Sequence, residues 1–266
     1  MVAKLKHVAI VSERYAELGR FYEAVFGMKG SPSPRPERAV VVGDGYVGLN
    51  INPRKAGRQA GLDHFGFEVE DVETVLARIR ERYPSVNVLK RPSTRPFAGL
   101  SAHDPAGNVF DISQAGMENR REIYVEGEWE QPRRVSHLAI RTLAPEAVAR
   151  FYVDVFGLRV LESPAADGGI HLSDGRVALV ILPWRITDYE GTGIERPGPD
   201  HLGFRVESVE AVRERLDALA GINPFLAPKP VGAGKEGSAR LRLFARCPYG
   251  RHHFADPDGV LLDIAE

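Results

Sequence analysis

The sequence predicts an α+β protein made of two tandem copies of one module, and three observations carry that prediction. Four stretches recur in the same order in both halves, strand and helix patterns follow one another alike within each copy, and a charged stretch separates the copies. His7-Val-Ala-Ile10 returns as His137-Leu-Ala-Ile140, and Arg20-Phe-Tyr-Glu-Ala-Val-Phe-Gly-Met28 as Arg150-Phe-Tyr-Val-Asp-Val-Phe-Gly-Leu158. Asp63-His-Phe-Gly-Phe-Glu-Val-Glu70 returns as Asp200-His-Leu-Gly-Phe-Arg-Val-Glu207, and Asp104-Pro-Ala-Gly-Asn-Val-Phe-Asp-Ile112 as Asp256-Pro-Asp-Gly-Val-Leu-Leu-Asp-Ile264. The spacing between partners grows along the chain, so the second copy holds insertions. The expected division is residues 1–116 for the first module, 117–132 for a linker and 133–266 for the second.

Each copy reads as strand, helix, then several strands, twice over. Residues 6–12 alternate with enough β-branched content for a strand. Leu18, Phe21, Tyr22, Val25 and Phe26 fall at helical spacing over 15–26, and Gly27 supplies a stop. Residues 39–42 and 46–51 flank Gly43-Asp44-Gly45, a hairpin signal. Residues 62–69 form another alternating strand, followed by an amphipathic helix over 72–83 that ends before Pro84. Strands at 86–90, 99–103 and 109–113 complete the first copy. The second repeats the scheme with a strand at 134–141, a helix at 145–156, a hairpin about Asp174-Gly175, a strand at 201–206 and a helix at 209–220. It then departs. Residues 223–250, rich in proline and glycine, interrupt the expected strands with loops of the kind that serve as lids.

Composition excludes several classes. With 266 residues, 43% hydrophobic and 27% charged, and a formal net charge of −1, the chain has core material but no field that would favour nucleic acid or an anionic membrane. No stretch reaches the apolar length of a membrane span, and residues 1–7 lack a signal-peptide core. The single cysteine, Cys247, excludes an internal disulfide framework and fits a reducing cytoplasm, the expected location.

The chemistry lies with histidines and two late aspartates. Asp263 stands in the middle of a strand otherwise fit for burial, a costly place for a carboxylate unless something positive offsets it. His7 and His137 sit on the opening strand of each copy, and His64 and His201 on the strand that opens each second half. On the latter, alternation puts His201, Gly203 and Arg205 on one face and Leu202, Phe204 and Val206 on the other. Small Ala9, Ala139, Gly66 and Gly203 beside the histidines leave room for a ligand, and Asp111 closes the first copy as Asp263 closes the second. Two histidines and one carboxylate per copy, with further positions open, suit non-haem Fe(II), with Mn(II), Zn(II) or Ni(II) as alternatives. The plainer reading of any one of them is a hydrogen-bonded polar residue on a strand; the ordered trio, found twice, favours metal. The principal set is His137, His201 and Asp263, and the second is His7, His64 and Asp111.

These residues, with the Arg20–Gly27 helix and the Asp104–Asp111 turn and strand, resemble the vicinal oxygen chelate superfamily. It includes glyoxalase I, type I extradiol dioxygenases, methylmalonyl-CoA epimerase and bleomycin-resistance proteins. The resemblance spans nearly the whole chain and implies two βαβββ units per module, forming a cupped, barrel-like mixed sheet with helices outside, around one metal. Two departures stand out. The closing ligand is Asp in both copies, where the family commonly has Glu. The strand that carries a fourth ligand in glyoxalases and the epimerase offers only Asn50 in the first copy and Val180 in the second, so the second module looks three-coordinate, as in extradiol dioxygenases.

Just upstream of Asp256 runs Cys247-Pro-Tyr249-Gly-Arg251-His252-His253-Phe254. In two-module extradiol dioxygenases histidine and tyrosine near this point act as acid–base partners, and an imidazole can exchange protons near neutral pH. Alternation lets one of His252 and His253 face the metal, and His252 is favoured here. Tyr249 is placed to bind or protonate a substrate oxygen, and Arg251 to hold an anionic group. The resulting expectation is a metal-dependent oxidoreductase resembling ring-cleaving dioxygenases, acting on a small molecule with vicinal oxygens. The alternatives are a glyoxalase- or epimerase-like lyase or isomerase working through an enediolate, and a non-catalytic binding protein. Pairing of two chains as a homodimer through the modules is left open.

Overall fold

The computed structural model describes residues 2–30, 39–93, 95–117, 123, 131–162, 168–192, 194–232, 236–245 and 252–266, with the side chains of Ile186, Phe244 and His252 outside that set. The first copy comprises β1 (Lys4–Ser12), α1 (Tyr15–Phe26), β2 (Lys29–Gly30), β3 (Val40–Gly43), β4 (Gly48–Pro53), β5 (Gly61–Val69), α2 (Val72–Arg82), β6 (Leu89–Lys90), β7 (Leu100–His103) and β8 (Val109–Gln114). The second comprises β9 (Arg134–Thr142), α3 (Pro145–Phe156), β10 (Arg159–Val160), β11 (Ile170–Ser173), β12 (Ala178–Pro183), α4 (Ile186–Tyr189), β13 (Gly198–Arg205), α5 (Val209–Ile222), α6 (Gly237–Phe244), β14 (His252–Ala255) and β15 (Leu261–Ala265).

Each copy folds into its own sheet. The first has eight strands in the order β2-β3-β4-β1-β5-β8-β7-β6, the second seven in the order β10-β11-β12-β9-β13-β15-β14. Each sheet is two βαβββ units joined edge to edge: β1 lies parallel to β4 and β5 to β8, while β1 and β5 meet antiparallel. The sheets are mixed, as expected, but open; neither closes into a barrel.

Local chemistry explains the elements. In α1 the buried stripe of Leu18, Phe21, Tyr22, Val25 and Phe26 turns inward, and Gly27 takes the left-handed conformation (φ 68°) that ends the helix. In α3 Pro145 opens the first turn and Gly157 (φ 69°) closes the last. Asp71 and Ser208 cap α2 and α5 through their side-chain oxygens. Asp44 ties its hairpin turn by accepting the backbone N–H groups of Tyr46 and Val47, and Asp174 does the same for Arg176 and Val177.

The helices line the sheet faces opposite the histidines, and α1 and α3 each serve both modules. Phe26 of α1 stacks on Phe204 of β13 with ring centroids 3.8 Å apart, and Phe156 of α3 stacks on Phe67 of β5 at 4.3 Å. One continuous apolar core therefore runs through both halves.

Three sequence expectations are corrected. The strand expected over 86–90 shrinks to β6, with Val86 outside it, and among the described residues its counterpart in the second copy is a single bridge between Lys229 and Ala255 of β14. Two short elements, β2 and β10, join the edges unannounced because two residues carry no periodicity. Within 223–250, expected to be loops, Pro224–Leu226 forms a 3-10 turn and the Ala- and Leu-containing run of α6 forms a helix. Arg240 of α6 donates from Nε to the Thr192 carbonyl, and α6 packs on α4. Among the described residues no helix is long and apolar enough to cross a membrane.

Candidate metal centres

Strand register assembles each triad. In the first sheet His7 on β1 pairs with Gly66 on β5, and Gly66 pairs with Asp111 on β8. The imidazole and the carboxylate thus stand in one row, separated by a residue without a side chain. His64, two residues before Gly66 on the same face, pairs with Ala9 and adds the third donor. The second sheet repeats the arrangement with His137, Gly203 and Asp263 in a row and His201 opposite Ala139. In each set the three donor atoms lie within 4.8 Å of one another.

The glycine in the row is required by space. A Cβ on Gly203 would stand 1.9 Å from Cε1 of His137, so the histidine ring occupies the room that glycine leaves. The sequence reading had assigned that room to a ligand; here the ligating ring takes it.

Donor spacing fits a single ion. His137 Nε2 lies 3.1 Å from His201 Nε2 and 3.6 Å from Asp263 Oδ2. His64 Nε2 lies 3.1 Å from Asp111 Oδ2. Donors bound about 2.1 Å from one ion stand roughly 3.0–3.4 Å apart. Each second-half histidine is also oriented from behind: Nδ1 of His201 meets Asp200 Oδ2 at 2.6 Å, and Nδ1 of His64 meets Asp63 Oδ2 at 2.7 Å. A carboxylate on Nδ1 fixes the tautomer that presents Nε2 as a lone pair. Arg141 in turn holds Asp200, and Arg58 holds Asp63. These aspartates were present in the sequence as the residue directly before each histidine, yet their role was not read, because adjacency on a strand normally sends side chains to opposite faces.

Burial and neighbouring charges act differently on individual ligands. Burial, reinforced by the charge of His201, holds His137 neutral, down to about 3. Burial would raise Asp200, but Arg141 and the hydrogen bond to His201 outweigh it and hold the carboxyl well below its usual range. Asp263 is likewise lowered against its burial, chiefly by its hydrogen bond to His253 and the charge of His201. In the first centre burial pulls His64 down, but the hydrogen bonds and charges of Asp111 and Asp63 outweigh it and raise His64 to about 9. A metal ion binding at His64 would displace a proton, whereas His137 would bind as the neutral imidazole.

Access differs as well. The side chain of His64 keeps 19% of its surface exposed and opens onto a cavity of about 990 Å³ with Asn50, Arg91, Arg95, Phe97 and Asp111 on its walls. The three second-centre side chains keep no more than 3%.

Of the expected acid–base residues, the structure brings His253 to the second centre. Register pairs His253 with Asp263 across β14 and β15, and its Nδ1 lies 2.8 Å from Asp263 Oδ1. The sequence reading favoured His252 for this face; it is His253 whose ring reaches the carboxylate. Tyr249, Arg251 and the side chain of His252 lie outside the described residues, as does Cys247. The equivalent of His253 in the first copy is Ser101, whose hydroxyl bonds Asp111. His171 on β11 is a further buried imidazole near His137. Asn50 pairs with Ala9 and so shares the first triad's face, and its buried Oδ1 has no hydrogen-bond partner among the described residues.

The chain belongs to the Glyoxalase/Bleomycin resistance protein/Dioxygenase superfamily, whose family model matches residues 4–112 and again 134–264. The fold also resembles solved structures of that kind at low identity. The Mn(II)-bound glyoxalase from Novosphingobium aromaticivorans superposes with a TM-score of 0.66 at 16% identity, covering 99% of this chain and 81% of that one. A catechol 2,3-dioxygenase gives 0.64 at 14%, covering 99% and 87%. An extradiol ring-cleaving dioxygenase from B. fuscum gives 0.61 at 17%, covering 99% and 71%. No curated protein matches the sequence. In this chain each of the two His/His/Asp sets could hold a divalent metal ion.

Proposed function

We propose that the chain is a metal-dependent dioxygenase that opens a catechol-type ring, with His137, His201 and Asp263 as the working ligand set. The observation that carries this reading is His253: among the described residues, only the second of two otherwise matching triads has a further imidazole, from outside the triad, on its ligand carboxylate, where the first has a serine. Bound there, Fe(II) would supply a Lewis acid for the two adjacent substrate oxygens and a path for electrons to O₂. The chain's own residues do the rest. Asp200 orients His201, burial of the triad excludes bulk water, and His253 exchanges protons with the substrate. With Nδ1 committed to Asp263, Nε2 of His253 is the nitrogen that takes a proton from a substrate hydroxyl and returns it to the product. Both atoms of O₂ end in the ring-opened product, so no external reductant is needed.

The test begins with metal content. Protein purified without oxygen and incubated with Fe(II) is expected to retain iron, consume O₂ in step with catechol, and give a ring-opened product. His253→Gln is expected to keep its iron and lose about 100-fold or more in turnover, the usual scale of proton-transfer catalysis. A chain that retains no iron or manganese ends the dioxygenase reading. A second reading, glyoxalase- or epimerase-like isomerisation, is favoured at the first centre by the Asn50 amide oxygen, a fourth donor on the same face. Isomerisation without O₂ consumption that disappears in Asn50→Ala would support it. Retention of both triads counts against a purely binding role.

A further inference from the structure

The first module's cavity is more elaborately built than a retired copy of the second centre would need. Its wall is the loop between β6 and β7, closed on itself by the Arg91 N–H donating to the Gly99 carbonyl at 2.7 Å and the Arg95 N–H donating to Ser93 Oγ at 3.2 Å. Within it Phe97 adopts φ 53°, among the described residues the one non-glycine position at positive φ. Such a conformation costs of order 1 kcal/mol or more and persists where surrounding contacts over-determine it. The contact here is a parallel stack on His7, with centroids 4.8 Å apart and planes inclined by 6°. The loop thus spends strain to lay an apolar ring against a candidate ligand.

The same loop brings two cations to the rim, Arg91 and Arg95, and the β4–β5 connection brings a third, Arg58. Arg58, Arg91 and Arg95 line the cavity together with two carboxylates, Asp63 and Asp111. Two of the guanidinium groups are engaged, Arg58 with Asp63 and Arg91 with Ser101 and Asp111. Arg95 is half-buried, and among the described residues its guanidinium makes no ion pair or side-chain hydrogen bond. A partly desolvated fork of N–H donors beside an open cavity matches a carboxylate bidentately. The cavity, at about 990 Å³, is of small-molecule size.

We propose that the first module binds a small chelator bearing a carboxylate, with its vicinal oxygens toward His7, His64 and Asp111, its apolar body along Phe97 and its carboxylate on Arg95. The site is distinct from the second centre, where ring opening is placed, so the two proposals stand or fall separately.

The test uses two probes that differ only in the carboxylate, catechol and 3,4-dihydroxybenzoate. Their binding to the full chain loaded with Zn(II), which cannot turn them over, is read by calorimetry. The same titrations are run on Asp263→Ala, which disables the second triad, and on metal-free protein. Preference for 3,4-dihydroxybenzoate of about tenfold or more is expected, the scale of one charge-assisted hydrogen bond. Arg95→Gln is expected to reduce the preference to about twofold or less with catechol affinity and zinc content unchanged, and Arg95→Lys to restore part of it. Equal affinity for both probes, or a preference that survives Arg95→Gln, overturns the proposal. If Asp263→Ala fails to fold, the comparison of wild type with Arg95→Gln decides alone. A preference that persists without zinc and still depends on Arg95 keeps the carboxylate subsite and removes the metal from it.

Discussion

At Gly203 a hydrogen stands where any other residue would put a carbon into the His137 ring. Gly203→Ala is therefore expected to expel that ring and lower bound metal by one equivalent per chain, with a stability loss of about 1–3 kcal/mol from overpacking. Gly66→Ala meets Phe97 Cδ1 at 2.8 Å and His7 Cβ at 3.2 Å; a ring edge can tip away, so the first centre is expected to weaken rather than empty. Elemental analysis of the two variants checks both, and a full metal complement in Gly203→Ala would remove His137 from the ligand set. At this scale much was legible. Alternation alone put His64 with Gly66 and His201 with Gly203 on one face. What alternation could not show was the row across strands, because register depends on pairings between residues far apart in sequence. The choice of His253 was hidden for that reason, and Asp63 and Asp200 because alternation sends neighbours on a strand to opposite faces.

The helices α1 and α3 fill 15–26 and 145–156, as their apolar spacing predicted. A stripe names a buried face but not the surface that buries it, so their docking across the modules was not readable. Nor was α6, a run of only eight residues set inside the proline- and glycine-rich stretch 223–250. The docking includes polar contacts: Tyr22 of α1 donates its hydroxyl to Asp256 at 2.9 Å, and Tyr152 of α3 to Asp104 at 3.0 Å. Burial lifts Asp256 from 3.8 to about 6, although backbone N–H groups and the Tyr22 hydroxyl oppose the shift. The folded chain holds this proton more tightly than the unfolded one. The associated stability is thus fully present below 3.8 and is lost as pH rises through 6, a loss of about 3 kcal/mol at full size. Asp200 and Asp263, both lowered, act in the opposite direction as pH falls, so the effect must be read by difference. Urea unfolding between pH 4 and 7 is expected to show this loss in wild type and a flatter profile in Asp256→Asn. Parallel profiles would place the Asp256 carboxyl in a wetter setting than the structure gives it.

Across the whole molecule the two halves hold each other by exchanged contacts. Asp44, in the first hairpin turn, accepts the Val135 N–H of β9 at 2.7 Å, and Asp174, in the second, accepts the Leu5 N–H of β1 at 2.8 Å. With one core threaded through both sheets, the chain is expected to unfold in a single transition. Tryptophan fluorescence, to which Trp184 contributes, should give the same urea midpoint as far-ultraviolet circular dichroism; two separated midpoints would mean that the halves stand alone. The reciprocity has the form of a two-fold interface, in which whatever one surface does to its mate is returned. Two separate copies of one module could meet in that way only while remaining identical, so each change in one site would be imposed on the other. Joined in one chain, neither half has to recognise itself. A serine can face one carboxylate and a histidine the other, one triad can lie open while the other is buried, and a single scaffold is free to carry two unlike chemistries.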